Sequence, residues 1–140
     1  MRLQEDSESV NQSVAKYGEF KPKATITLCG SNKFRDEFFK MGEYFEANGF
    51  TVLMPAYFRY KGQRGYIDDD DYKKFILEAN HRKRIEFSDI VFILDVEGYI
   101  GKSTHSEIEF ANKLGKKIIY YSEWSSRDYF GQESLIEGRV

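Results

Sequence analysis

The sequence predicts an α/β fold, a single domain in which a parallel sheet carries helices on both faces. Short β-rich segments alternate with segments of helical periodicity, in the order β-α-β-α-β-α-β. Short turns connect most of them, as in β-α-β units. The most apolar segment, Ile90–Leu94, has no alternating polar residues, which is typical of a parallel strand buried on both faces.

Four β-rich segments predict the strands, and they cover residues 24–29, 50–54, 90–94 and 116–121. A helix is predicted after the first strand, capped by Ser31 or Asn32 and ended by Asn48-Gly49. Its apolar stripe consists of Phe34, Phe38, Met41 and Phe45.

A second helix is predicted from the aspartates at 68–71 to Phe87, because negative charge favours a helix N-terminus. A metal site at these aspartates is the less favoured alternative. The expected apolar face of this helix consists of Tyr72, Phe75, Ile76 and Ala79. The preceding irregular segment, 56–71, is rich in aromatic and basic residues, which suits either a lid over a base and a phosphate or a solvated loop.

The two ends of the chain differ from this pattern. Residues 1–20 are polar with little periodicity, so we expect a mobile or loosely docked extension, with the α/β domain covering 21–140. The last segment contains Trp124, the one tryptophan, and predicts a short helix near 128–136.

Composition excludes several classes of protein. A net charge of -2 does not favour a binder of polymeric nucleic acid. No apolar run is long enough to span a membrane and the N-terminus lacks a signal peptide pattern, so we expect a cytoplasmic protein without a membrane partner. The single cysteine, Cys29, excludes an internal disulfide and is expected to be a small core residue rather than a nucleophile. Two histidines and one cysteine do not suggest zinc, so no metal is expected.

Residues 95–115 follow the most apolar strand and form the most informative segment. A glycine-punctuated turn, 98–101, leads into a helix with Ser103 or Thr104 as the expected N-cap and Gly115 as its end. Ligands of open α/β sheets bind at the carboxyl ends of the strands, and a helix N-terminus attracts anions. This arrangement predicts a ligand site at the turn.

Two interpretations of this segment can be compared on spacing. Gly101-Lys102-Ser103-Thr104 is similar to the end of a P-loop, but only two residues separate Gly98 from Gly101, so the spacing excludes that motif. Glu107 is expected in the first helical turn, where it either forms a capping box with Thr104 or serves as a functional carboxylate. The segment alone leaves both interpretations open.

The residues after two of the strands resemble those of the nucleoside 2-deoxyribosyltransferase superfamily, which includes the 2′-deoxynucleoside 5′-monophosphate N-glycosidases. The resemblance runs from about Thr25 to Tyr121. It is carried by Gly30-Ser-Asn-Lys33 and, more specifically, by Gly98-Tyr-Ile-Gly-Lys-Ser-Thr104, Glu107-Ile-Glu-Phe-Ala111 and Leu114-Gly-Lys-Lys117. It implies a flavodoxin-like or Rossmann-like fold that cleaves or transfers an N-glycosidic bond without a cofactor.

The resemblance also implies roles for individual residues. Glu107 occupies the position of the family's nucleophile at C1′, and we expect the helix dipole and nearby N–H groups to keep it ionised. Ser31 and Lys33 match the phosphate-binding residues, with lysine where arginine is usual. The full set implied to bind substrate or phosphate consists of Gly30, Ser31, Asn32, Lys33, Tyr99, Gly101 and Ser103.

Three residues determine how closely the family's chemistry would apply to this chain. His81 stands where the family commonly has an aspartate; it could donate a proton to the departing base, since its unperturbed pKa is ~6.5, or it could be a packed or surface histidine. Thr27 stands where the mononucleotide hydrolases tend to have a tyrosine, so the sugar class stays open. Asp95, at the end of the third strand, either contacts sugar or base or caps the following turn.

The sequence therefore predicts an enzyme whose partner is a small-molecule nucleoside or nucleotide. The resemblance implies a homodimer or higher homo-oligomer in which a neighbour's C-terminal region, here Trp124 and residues 122–126, completes the pocket. Two alternatives remain open: a catalytically silent nucleotide-binding or sensing module, and a partner domain that binds another protein through residues 57–66.

Overall fold

A computed structural model describes residues 2–58 and 70–125 of the chain. Within these residues, four strands form one sheet: β1 (Thr25–Gly30), β2 (Thr51–Leu53), β3 (Ile90–Leu94) and β4 (Lys117–Tyr120). All neighbours pair in parallel, in the spatial order β2-β1-β3-β4. This is the order of a flavodoxin-like sheet, so the predicted fold class is confirmed.

Five α-helices are described: α1 (Arg2–Tyr17), α2 (Arg35–Ala47), α3 (Asp71–Phe87), α4 (Lys102–Lys113) and α5 (Tyr121–Ser125). Short 3₁₀ turns at Asn32–Phe34 and Val96–Gly98 follow β1 and β3. Ser31 caps the first of these turns rather than α2, whose N-cap is Phe34 without a side-chain cap. Gly49, with a φ of 95°, follows the C-cap of α2, as the sequence predicts. Asp70 caps α3 by accepting a hydrogen bond from the Lys73 N–H at 3.0 Å.

The helices lie on both faces of the sheet. On one face, α2 and α5 cover a core rich in aromatic side chains, in which Phe45 contacts Phe92 and Trp124 edge-on or at a tilt. On the other face, α3 and α4 supply Ile85 and Ala111 to a smaller core. The second face therefore has room for a cavity beside its apolar contacts.

Gly30, the last residue of β1, lies where the two central strands end. A Cβ at this position would be 2.9 Å from the Leu94 Cβ and 3.2 Å from the Leu94 carbonyl oxygen. A side chain is therefore excluded because β1 and β3 approach too closely. The glycine lets the turn after β1 pass directly over the end of β3.

Three expectations about the helices differ from the structure. Residues 2–17 form the helix α1, which the weak periodicity of this segment did not predict, and its described side chains are exposed. The predicted apolar face of α3 is not buried: Tyr72, Phe75 and Ile76 are exposed, and His81 and Ile85 are the buried residues. Spacing alone misassigned this face because the first half of α3 packs little against the sheet. Leu114, the C-cap of α4, has the helical spacing of Ile108 and Ala111 and was therefore expected on the same apolar face, but it is exposed.

Some expectations concern residues outside the described ranges. These are most of the 56–71 segment, the two aspartates at 68 and 69, and the helix expected at 128–136. Among the described residues, no helix combines the length and the apolar character that crossing a membrane requires.

Candidate active site

A cavity of about 390 Å³ opens at the carboxyl ends of β1 and β3, on the face covered by α3 and α4. It is lined by the turn after β1 (30–32), the segment after β2 (55–57), one side of α3 (74–84) and the segment from Tyr99 to Glu107. This is the expected ligand position in an open α/β sheet, and the volume lies within the usual range of small-molecule pockets.

Most of the site residues expected from the sequence come together in this cavity. Those that line it are Gly30, Ser31, Asn32, His81, Tyr99, Gly101, Ser103 and Glu107. Lys33 and Asp95 are not among the lining residues.

The start of α4 differs from the sequence expectation. The N-cap is Gly101, without a side-chain cap, so Ser103 and Thr104 lie inside the first turn. Glu107 is then the sixth residue of the helix, in its second turn. The capping-box interpretation of Thr104 and Glu107 is therefore wrong, since Thr104 is not at the N-cap of α4 and Glu107 is not at its N3 position.

The uncapped end of α4 gives the cavity its donors. Residues 101–104 line the cavity, and the first N–H groups of an α-helix have no intrahelical acceptors. Cationic side chains of Lys74, Arg84 and Lys102 lie in the same lining, together with the carboxyls of Glu78 and Glu107. This end of the cavity is therefore suited to an anionic group.

Glu107 is partly buried at the base of the cavity, with its side chain 17% exposed. Its Oε1 is the one buried side-chain oxygen or nitrogen, within the described part of the chain, that has no hydrogen-bond partner. Burial raises the pKa of Glu107 to about 7, outweighing the hydrogen bond from the Cys29 thiol. Burial therefore outweighs the stabilisation of the carboxylate that was expected from the helix dipole.

His81 is 4% exposed and contacts the same carboxyl, with Nε2 3.9 Å from the Glu107 Oε1. Burial, followed by the charge of Arg84, lowers the pKa of His81 to about 4. The imidazole is therefore neutral near pH 7, and the packed-histidine interpretation holds rather than that of a proton donor with an ordinary pKa.

The neighbours of His81 determine which of its nitrogens carries the proton. The Arg84 Nη1 lies 3.3 Å from Nδ1, and a guanidinium only donates hydrogen bonds. Nδ1 must therefore accept, which assigns the proton to Nε2, 3.3 Å from the Cys29 Sγ. The Cys29 thiol in turn acts to lower the pKa of the neighbouring Glu107. Donors therefore run from Arg84 to His81 and from His81 to Cys29.

Cys29 is completely buried, as expected for a core residue. Burial, followed by the charge of Glu107, raises the pKa of its thiol well above the usual value. It is thus no nucleophile. It nevertheless lies at the centre of the polar cluster, a position that its apolar sequence neighbours did not reveal.

Lys33 and Tyr99 form a contact at the rim of the cavity. The Lys33 Nζ lies 3.5 Å from the centroid of the Tyr99 ring, a cation–π geometry, and the same ring meets Phe34 edge-on. The Lys33 charge is therefore held on an aromatic face outside the lining rather than inside a phosphate cradle.

Asp95 and Trp124 have structural roles. The Asp95 carboxylate accepts hydrogen bonds from the Ser122 N–H at 2.7 Å and the Ser122 hydroxyl at 2.6 Å, which ties the end of β3 to the start of α5. Asp95 thus neither contacts the cavity nor caps the turn through its side chain. Trp124 packs in the core of its own chain, 7% exposed, so it does not project towards a neighbour's pocket.

Sequence reasoning missed several lining residues, above all Lys74, Glu78 and Arg84. These three residues lie on the same side of α3 as His81. Their helical spacing relative to His81 was the sequence pattern that could have identified them. Thr27 does not face the cavity; its hydroxyl donates to the Arg84 carbonyl at 2.8 Å and helps to hold α3 on the sheet.

Comparison of the chain with models of protein families and with curated proteins finds no match.

Proposed function

We propose that this protein cleaves or transfers the N-glycosidic bond of a (deoxy)nucleoside or nucleoside 5′-monophosphate, with Glu107 as the nucleophile at C1′. The observation that carries the proposal is the Glu107 carboxyl itself. It lies at the base of a ligand-sized cavity with one oxygen unpartnered, at the position that the resemblance to the nucleoside 2-deoxyribosyltransferase superfamily marks as the nucleophile.

The proposed reaction depends on the protonation state of the Glu107 carboxyl. In its ionised form, Glu107 attacks C1′ while the bond from C1′ to the base nitrogen breaks, and the electron pair leaves with the base, which takes a proton. Water then hydrolyses the glycosyl ester, or a second base accepts the sugar. A buried carboxylate with few hydrogen bonds is a stronger nucleophile than a solvated one, and its raised pKa is the cost of that placement.

The N-terminal end of α4 provides a place for a 5′-phosphate. The free N–H groups at 102–104 and the cations Lys74 and Lys102 lie within one cavity with Glu107. A nucleotide with its phosphate against these groups brings its sugar towards the carboxyl, which is two helical turns or less away. The base would then occupy the side lined by Tyr57 and Leu77.

A second candidate function, a catalytically silent nucleotide-binding module, is favoured by one observation. His81 stands where the family commonly has an aspartate and has its pKa lowered to about 4, so near pH 7 it is a neutral imidazole rather than an acid of matched pKa for the departing base. Binding and turnover must therefore be measured separately.

The test is a panel of deoxy- and ribonucleosides and their 5′-monophosphates, with release of free base followed by chromatography. The wild type is compared with Glu107→Ala and with Glu109→Gln, a control on the same helix whose side chain is 66% exposed. We expect base release by the wild type and the control, and none by Glu107→Ala. Adding a second free base distinguishes transfer from hydrolysis, because only transfer forms a new nucleoside.

Two results would contradict the proposal. Absence of base release from every substrate by the folded wild type would remove the enzymatic function, and nucleotide binding without turnover would then favour the silent module. Base release that survives Glu107→Ala unchanged would remove Glu107 from its role.

We also propose that the protein acts as a homodimer through the exposed apolar side of α3. Tyr72 and Phe75 are 71% and 57% exposed, and they lie on the helix that supplies Lys74 and Glu78 to the cavity. Light scattering after gel filtration should give a dimer mass for the wild type and a monomer mass for Phe75→Glu. A monomeric wild type at micromolar concentration would contradict this.

A further inference from the structure

Three side chains of different chemistry converge at the base of the cavity. The Cys29 Sγ lies 3.3 Å from the His81 Nε2, which lies 3.9 Å from the Glu107 Oε1. All three atoms lie within 4.8 Å of one another, and among the described residues they form the one such group of three potential metal ligands.

These spacings are close to those of ligands around one tetrahedral ion. With Zn–S near ~2.3 Å, Zn–N near ~2.0 Å and Zn–O near ~2.0 Å, tetrahedral angles place the ligand atoms about 3.3–3.6 Å apart. The sulfur–nitrogen pair, 3.3 Å apart, is already at that spacing. The carboxyl must shift by about half an ångström towards His81 and close any remaining gap to the Cys29 Sγ, which lies within 4.8 Å of it. The Glu107 Oε1 has no hydrogen bond to lose in making that shift.

We propose that Cys29, His81 and Glu107 bind a single thiophilic divalent cation such as Zn²⁺, with the fourth coordination position open to the cavity. Thiolate, imidazole and carboxylate are all zinc ligands, and three protein ligands with one open position is the pattern of accessible zinc sites. His81 and Glu107 both line the cavity, so the cation has an entry path. The count of histidines and cysteines in the sequence missed this set because its third member is a carboxylate.

Binding of the cation changes which atoms of the three side chains carry protons. The Cys29 thiol and any protonated Glu107 lose their protons to solvent, and the His81 proton moves from Nε2 to Nδ1. The Arg84 Nη1, now 3.3 Å from Nδ1, must then move away, since two donors would face each other. Arg84 is partly exposed at the cavity lining, which gives its side chain room to turn towards solvent.

The experiment is a titration of the chelator-treated full chain with Co²⁺, followed by absorption spectroscopy. We expect one equivalent to bind, with a thiolate-to-cobalt charge-transfer band and the visible bands of a four-coordinate ion; Zn²⁺ should displace it. Zinc at about one hundred times its Kd should also raise the Tm by roughly 5–10 °C. Neither readout uses a nucleotide, so failure here leaves the proposed function untouched, and the converse also holds.

Three variants assign the ligands. Cys29→Ser should abolish the charge-transfer band, and Glu107→Gln, which keeps the volume of the side chain, should weaken binding by about tenfold or more. His105→Gln is the matched control, because the exposed pair His105 and Glu109, 3.5 Å apart, is the competing surface site. It should leave the titration unchanged.

The proposal is overturned if wild type gives no charge-transfer band, or if His105→Gln rather than Glu107→Gln abolishes binding. Should nucleotide cleavage also be established, the bound cation would occupy the nucleophilic carboxyl, and zinc would inhibit turnover in the wild type.

Discussion

Replacing Glu107 by glutamine is expected to stabilise the protein at alkaline pH while it removes activity. Burial raises the pKa of Glu107 from 4.5 to about 7, so the folded state binds a proton more readily than the unfolded chain does. Between these two values, stability falls as pH rises, and above about 7 the full penalty is present. A shift of this size corresponds to about 3 kcal/mol at 1.36 kcal/mol per pKa unit.

The net gain for the variant is smaller than this penalty. The glutamine amide has to be buried at the same place with incomplete hydrogen bonding, which costs about 1 kcal/mol. At pH 8 the variant should therefore be more stable than the wild type by about 2 kcal/mol, or roughly 4–8 °C in Tm. At pH 4.5 the folded Glu107 is uncharged, so the ionisation penalty is nearly absent and the variant should instead be less stable than the wild type by the burial cost of the amide, about 1 kcal/mol.

The assay is thermal or urea unfolding at several pH values between 4.5 and 8, in buffers with a chelator so that no metal contributes. His81 has the opposite dependence, because its folded-state pKa of about 4 lies below its usual value, and its contribution is lost as pH falls below about 6.5. Between pH 4.5 and 6.5 the folded Glu107 is largely uncharged, so most of the His81 effect is common to wild type and variant. Glu109→Gln, on the exposed side of α4, should differ from the wild type by less than about 0.5 kcal/mol at every pH. A constant difference between Glu107→Gln and wild type across this range would refute the raised pKa.

Three further outcomes follow from the site and its supports. The kcat/KM for nucleotide cleavage should rise with pH and level off above about 7, since the nucleophilic carboxyl must be ionised; a rate that is flat between pH 5 and 8 would contradict this. Arg84→Met should raise the pKa of His81 while leaving it below 6.5, because burial outweighs the Arg84 charge; titration by NMR measures this, with the exposed second histidine as an internal control. Gly30→Ala should destabilise the fold by about 1–3 kcal/mol in urea unfolding, because the new Cβ would lie 2.9 Å from the Leu94 Cβ, and an unchanged stability would show that the strands can separate.

The parts of the fold that the sequence predicted are those governed by local patterns. The β3 boundaries are as predicted, Ile90–Leu94, because an unbroken apolar run between polar residues has one interpretation. The helix α2 was predictable from its stripe and from the Asn48-Gly49 end. The apolar face of α3 was not, since helical spacing identifies residues that share a face but not whether the sheet reaches that face.

The position of the site could be predicted from the sequence, but the protonation states of its residues could not. Parallel strands end at one edge, so the turn after β1 and the turn before α4 had to meet there. The pKa values depended on details without a sequence signal: the N-cap falls on Gly101 rather than Ser103 or Thr104, and this moves Glu107 into the second turn. Because α4 begins two or three residues earlier than expected, Glu107 lies further from the helix N-terminus, and burial rather than the helix dipole has the larger effect on its pKa.

The unequal cores of the two sheet faces explain how the protein tolerates such a site. The face under α2 and α5 is filled with interlocking aromatic residues, among them Phe38, Phe45, Phe92 and Trp124, which bury large apolar areas. The other face has a smaller apolar core, because the cluster of Cys29, His81 and Glu107 and the cavity above it occupy part of that face. We expect the aromatic core to offset the free-energy cost of the polar cluster without contacting it. Phe45→Leu and Glu107→Gln should therefore change stability additively at pH 8, because among the described residues the two lie on opposite faces of the sheet and have no common partner. A coupling of more than about 0.5 kcal/mol in a double-mutant cycle would show that the two faces are linked through the sheet.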